Sequence, residues 1–187
     1  MLWRIALTGL ALLLALCVPF YPAPARADLA VGQRFPQLRF SGAMSAADRV
    51  YLGLKRTGEF TLADIKAPYV LIEIFSDTCP HCMLQAPVAN HIFRLMEQDP
   101  KFEGAPLKMM GVGFYGTAAA MEKWKAKYQV PFPLIPDPLA QVGKALDIPG
   151  TPTYVVLDKQ GRVIYVFAGE IDSPKKFLRE VLARLKF

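Results

Sequence analysis

Seven consecutive residues, Tyr69 to Phe75, are apolar except for Glu73 and rich in β-branched and aromatic side chains. Such a run reads as a central strand buried on both faces. Cys79-Pro80-His81-Cys82 follows almost at once and opens a helical pattern that continues to Gln98. Leu84, Val88, Ile92 and Leu95 recur at helical spacing and predict one buried face. Pro87 interrupts the helix and should kink it. Two cysteines three apart, placed where a buried strand turns into a helix, form a redox-site signature. The thiolate is the reactive form, and the unpaired N–H groups and partial positive charge of a helix start stabilise it. Cys79 is the exposed, attacking thiol in this reading. Cys82, one turn further in, resolves the mixed disulfide, and His81 adds positive charge beside Cys79.

The competing reading is half a metal site. Structural zinc takes four ligands, commonly four cysteines or two cysteines and two histidines. The one further cysteine is Cys17, and the only histidines are His81 and His91. Most of the ligands would then come from a single stretch of helix, so the arithmetic favours redox chemistry and no metal. Met83, Met96, Met109, Met110 and Met121 fall within predicted helices and a strand and read as packing rather than copper ligands.

The first residues resemble an export signal: Arg4, an apolar run of 14 residues from Ile5 to Val18, then small residues ending in Ala25-Arg26-Ala27. The run is short for a membrane span. Cleavage after Ala27 leaves 160 of the 187 residues, enough for a sizeable core. An uncleaved anchor is the alternative, and Leu16 argues against lipidation at Cys17. Cleavage would also remove Cys17, leaving Cys79 and Cys82 as the only cysteines in an oxidising compartment. The full chain carries a net charge of +6 and the processed one +4, with the basic residues spread out. The densest group, Lys123, Lys125 and Lys127, reads as a solvated helix face, and nothing points to nucleic acid.

Residues 28–59 read as an N-terminal arm with short strands, one near Val31 to Phe40 and one at Val50 to Leu54. Leu107 to Phe114 reads as a second strand. Thr117 caps a helix with Met121, Trp124 and Tyr128 on its apolar face. Val130 to Pro138 must be extended. Asp137-Pro138 reads as the start of a short helix that buries Leu139, Val142 and Leu146. Tyr154 to Leu157 and Arg162 to Ala168 read as strands joined by the turn Asp158-Lys159-Gln160-Gly161. Ser173-Pro174 begins a last helix. Alternating elements predict an α/β sheet with helices on both faces, closed by an antiparallel hairpin.

From about Phe60 to Phe187 the chain resembles the thioredoxin superfamily, and within it the exported TlpA-like, redoxin-type thiol:disulfide oxidoreductases. The features that carry the resemblance are the C-x-x-C after a buried strand, Thr151-Pro152 before another strand, the D-x-x-G hairpin and the terminal helix. The resemblance implies a thioredoxin-like fold over 60–187, following a signal over 1–27 and the arm over 28–59. Cys82 and Pro152 are 70 positions apart, so Thr117 to Leu146 resembles the helical insertion of the TlpA-like group. The resemblance places Cys79 as nucleophile, with Pro80 and His81 between it and the resolving Cys82. Pro87 matches the kinking proline, and Glu73 the buried carboxylate that serves the resolving cysteine. Pro152 matches the cis-proline, with the Thr151 backbone presented to a substrate segment added as a strand.

Pro80-His81 is the dipeptide of DsbA, an oxidant. Thr78 stands where thioredoxins have Trp, and Gln85 where many TlpA-like reductases have Glu. The direction of electron flow is therefore left open. The expected activity is disulfide exchange with cysteine-containing exported proteins, recharged by a membrane or soluble thiol partner. It requires no cofactor beyond a Cys79–Cys82 disulfide. The location would be periplasmic or otherwise extracytoplasmic, free or tethered. A metallochaperone using Cys79, Cys82 and a histidine is one alternative. A thiol peroxidase is the other, although its P-x-x-x-T-x-x-C pattern would need Pro at position 72, which is Ile.

Overall fold

The computed structural model describes residues 31–186, apart from 36, 43, 99 and 101–106. The proposed signal, Ala25-Arg26-Ala27 and Cys17 therefore lie outside the described residues. Five strands form one mixed sheet in the order β3-β2-β1-β4-β5. They are β1 (Tyr69–Phe75), β2 (Leu107–Phe114), β3 (Leu134–Asp137), β4 (Thr153–Asp158) and β5 (Val163–Ala168). β1, β2 and β3 run parallel, while β4 pairs antiparallel with both β1 and β5. The fold is thioredoxin-like, with α1 (Ala46–Leu52), α2 (Pro80–Gln98), α3 (Ala118–Tyr128), α4 (Gln141–Ala145) and α5 (Pro174–Leu182) around the sheet.

Because side chains alternate along a strand, β1 feeds two cores. Leu71 and Phe75 join Cys82, Ile92, Tyr154 and Phe177 on one face. Val70, Ile72 and Ile74 join Phe35, Phe40, Leu52 and Phe60 on the other. Glu73 shares the pleat direction of Leu71 and Phe75, so its carboxyl points into the face that holds Cys82.

The N-terminal arm is the cover of the second face rather than a loose extension. Phe40 and Phe60 exchange backbone hydrogen bonds, and their rings stack 5.3 Å apart. The strand expected at Val50 to Leu54 is instead the end of α1, with Val50 largely exposed. The Ser45 side chain accepts the Asp48 N–H, and Gly53 closes the helix in the left-handed region at φ 69°. Helix capping at both ends outweighs the β-branched composition of the short run between them.

Other elements also differ from expectation. Leu84 is 67 % exposed; the buried face of α2 runs through Cys82, Gln85, Ala86, Ala89, Ile92 and Leu95. Asp137 ends β3 rather than beginning a helix, and α4 starts at Gln141. Asp137 caps α4 all the same, its carboxylate accepting the N–H groups of Gln141 at 2.7 Å and Val142 at 2.9 Å. This geometry leaves Leu139 exposed rather than in the core. Thr117 caps α3 as expected. Lys125 departs from the solvated-face reading, since its ammonium reaches both Asp48 carboxylate oxygens and ties α3 to α1.

Candidate active site

β1 delivers the chain to Cys79, and Cys82 begins the buried face of α2. Both are free thiols in very different surroundings. Cys79 is partly exposed, and its Sγ lies 3.3 Å from the Thr151 carbonyl oxygen. Burial is the largest single influence on Cys79 and opposes ionisation. Hydrogen bonds from the Thr151 side chain, from Cys82 and from the His81 backbone together outweigh it, and the thiol titrates below its ordinary value. Cys82 is 1 % exposed, and desolvation pushes its thiol up to about 12 despite the Ser76 N–H 3.5 Å away. Cys79 is thus the more accessible and the more readily ionised of the two thiols.

The Thr151-Pro152 peptide is cis. Its loop is fixed by the Thr153 hydroxyl, which donates to the Gly150 carbonyl at 2.7 Å, and by the Gly169 N–H, which donates to the Pro152 carbonyl at 2.9 Å. The sequence separates Thr151 and Cys79 by 72 positions; the antiparallel pairing of β4 with β1 brings them together.

Glu73 is 4 % exposed. Desolvation raises its carboxyl to about 8, offset in part by the Tyr154 hydroxyl, which donates to Glu73 Oε1 at 3.1 Å. Tyr154 is Glu73's Cα partner across the β1–β4 pair. Burial first, then Glu73 and Cys82, hold the Tyr154 hydroxyl neutral. Tyr154 therefore ties the carboxyl to the core face that holds Cys82. Sequence reading placed Tyr154 only in a strand, because its role depends on register across the sheet.

His81 differs from expectation in its partner. The ring is largely exposed, and Nδ1–H donates to Glu170 Oε1 at 2.6 Å. Glu170 raises the imidazole pKa first through this hydrogen bond and then through its charge, and Cys79 contributes only a smaller share. The His81 backbone N–H also favours the Cys79 thiolate. Glu170 was missed in the sequence because the loop after β5 carries no local signal. Its position is nevertheless fixed. Next to it, the Ile171 N–H donates to the buried Gln85 Oε1 at 2.9 Å, so the residue at the TlpA-like Glu position anchors this loop to α2. Glu170→Gln should move the His81 titration down towards the ordinary imidazole range, followed by the ring proton shifts in NMR. An unmoved titration would show that the pair is not formed in solution.

Pro80 is exposed at the first turn of α2, Pro87 lies within the helix, and His91 is exposed further along it. Among the described residues no group of three or more His, Cys, Asp or Glu side chains converges as a metal site.

Residues 30–182 match the Redoxin family. The chain belongs to that family. Among curated redoxin relatives, the Pseudomonas aeruginosa thiol:disulfide interchange protein DsbE is 28% identical over 156 residues, covering 83% of this chain and 74% of its own. The Bacillus cereus thiol-disulfide oxidoreductase ResA is 24% identical over 124 residues, 66% of this chain and 67% of its own. In three dimensions the redoxin fold matches a putative DsbE from Chlorobium tepidum with a TM-score of 0.63 at 20% identity, over 84% of this chain and 99% of that one. StoA from Bacillus subtilis matches with a TM-score of 0.56 at 15% identity, over 79% and 98%.

Proposed function

We propose that this redoxin, a thiol:disulfide oxidoreductase, exchanges disulfides with cysteine-containing exported proteins through Cys79 and Cys82. The observation that carries the reading is the contrast between the two thiols, one accessible and readily ionised beside Thr151, the other buried and protonated. The Cys79 thiolate attacks one sulfur of a client disulfide. A Cys79–client bond forms, the client S–S bond breaks, and the departing thiolate takes up a proton. Cys82 then gives its proton to the Glu73 side and attacks the Cys79 sulfur. The Cys79–Cys82 disulfide closes, the second client thiol is released, and two electrons have passed from enzyme to client. The same steps in reverse oxidise a client dithiol.

Glu73 serves as proton acceptor in its ionised fraction, which a carboxyl titrating at about 8 retains near pH 7 and which grows as pH rises. The Thr151 carbonyl, 3.3 Å from Cys79 Sγ, offers a backbone acceptor to an extended client segment, which places its cysteine at the nucleophile without reading its sequence. A membrane or soluble thiol partner resets the pair. The export-like first residues support an extracytoplasmic setting.

The test is capture. Cys82→Ser should accumulate mixed disulfides between Cys79 and client proteins, released by reductant and mapped to Cys79 by mass spectrometry. Turnover of a Cys82→Ser variant at the native rate, with no trapped species, would refute the two-cysteine scheme.

A further inference from the structure

Lys55, Arg56, Lys66 and Lys159 line one open cleft of about 680 Å³. Its acidic groups are already engaged: Glu59 pairs with Arg39 at 3.8 Å, and Asp64 accepts the Thr61 N–H and hydroxyl at 2.8 Å each. Among the described residues the four cations make no ion pair. All four are exposed.

The cleft lies at the pole opposite the redox pair. Lys66 comes just before Tyr69, and Lys159 follows Asp158, the Cα partner of Tyr69. The seven residues of β1 separate that end from the Cys79 end by about 20 Å at ~3.3 Å per residue. The chain also enters the fold at the basic pole. The Gly32 N–H donates to the Val163 carbonyl, and the Phe35 N–H to Gly161, in the hairpin that carries Lys159. Upstream, 12 residues separate Val31 from the apolar run Ile5 to Val18. Such a leash spans at most about 40 Å.

We propose that this basic pole docks on the anionic phospholipid headgroups of a membrane surface, with the Cys79 pole turned towards clients. Unpaired lysines and arginines within reach of a bilayer are attracted by its acidic lipids, and the attraction fades within a Debye length. Where the apolar run is retained, it keeps this pole within about 40 Å of the surface, and acidic lipid draws it the rest of the way. Where it is removed, the cleft itself still favours that orientation. The proposal does not depend on the redox reading, and either can fail alone.

The experiment uses the full chain in nanodiscs of phosphatidylcholine, with and without phosphatidylglycerol, both doped with a gadolinium-chelating lipid. Selective broadening of the Lys55, Lys66 and Lys159 amides is expected in the anionic discs only, and should disappear in high salt. Combined replacement by Ser at the four positions should weaken this lipid-dependent broadening roughly tenfold or more, with disulfide exchange unchanged. Equal broadening in both lipids, or broadening centred on the Cys79 pole, would overturn the proposal. So would inorganic phosphate alone shifting these amides while anionic lipid does not. The lipid and salt comparisons on the native chain stand even if the quadruple variant folds poorly.

Discussion

Cys79→Ser is expected to abolish disulfide exchange, with a loss of about three orders of magnitude or more in insulin reduction or in oxidation of a dithiol peptide. Three observations make the effect this large. Cys79 is the accessible thiol; its ionised form is the stabilised one; and Cys82, 1 % exposed with its thiol pushed up to about 12, cannot stand in for it. A serine hydroxyl in the same place gains nothing useful from hydrogen bonds that stabilise a thiolate, because it does not ionise near neutral pH. Stability should change little, since Cys79 is only partly buried and forms no structural bridge in the reduced protein. Rates and thermal midpoints measured on the same preparation separate the two effects. Native-rate exchange in the Cys79→Ser variant would end the proposed scheme.

Glu73→Gln should make the reduced protein more stable and the enzyme slower. Desolvation raises the Glu73 carboxyl from 4.5 to about 8 in the folded state. A carboxyl with a raised folded pKa contributes fully below its unfolded value and loses that contribution as pH rises through the folded one. Near pH 7 the unfolded chain carries Glu73 ionised while the folded chain keeps it mostly protonated. The carboxyl therefore costs roughly 3 kcal/mol of stability there, at about 1.4 kcal/mol for each pH unit above its unfolded pKa up to the folded one. Glutamine removes this cost and still accepts from the Tyr154 hydroxyl. The gain should be seen in urea unfolding at pH 7, shrink towards pH 4, and grow towards pH 8. In the proposed scheme the resolving step loses its proton acceptor at the same time. Mixed disulfides should persist longer, and the alkaline rise in exchange rate should flatten. A stability gain independent of pH would mean that Glu73 is ionised in the fold.

The carboxyl was legible in the sequence because a single acidic residue stood inside an apolar run. So were the two cysteines, the helix beyond them, the β4–β5 hairpin and Thr151-Pro152, all of which are local patterns. What escaped was set by contacts between distant segments. Tyr154 meets Glu73 through strand register, and Glu170 meets His81 across 89 positions. The misplaced Leu84 has a different origin. Apolar residues at helical spacing define a stripe, but the small and polar residues Ala86, Ala89 and Gln85 face the sheet in α2, and Leu84 falls outside that face. The α1 helix was hidden by the β-branched and aromatic character of Val50 and Tyr51, although Ser45 and Gly53 marked both of its ends.

The Phe40–Phe60 stack bears on how this protein ages. Phe35, Phe40, Leu52 and Phe60 cover one side of the sheet, so a protease cut in the exposed turn at Arg56 to Gly58 is expected to loosen that cover without touching either cysteine. Val70, Ile72 and Ile74 would then keep only the part of their cover that Leu62, Ile65, Val142 and Leu146 supply, and would meet water more readily. The nicked molecule would be lost by clumping with its neighbours while its redox chemistry was still intact.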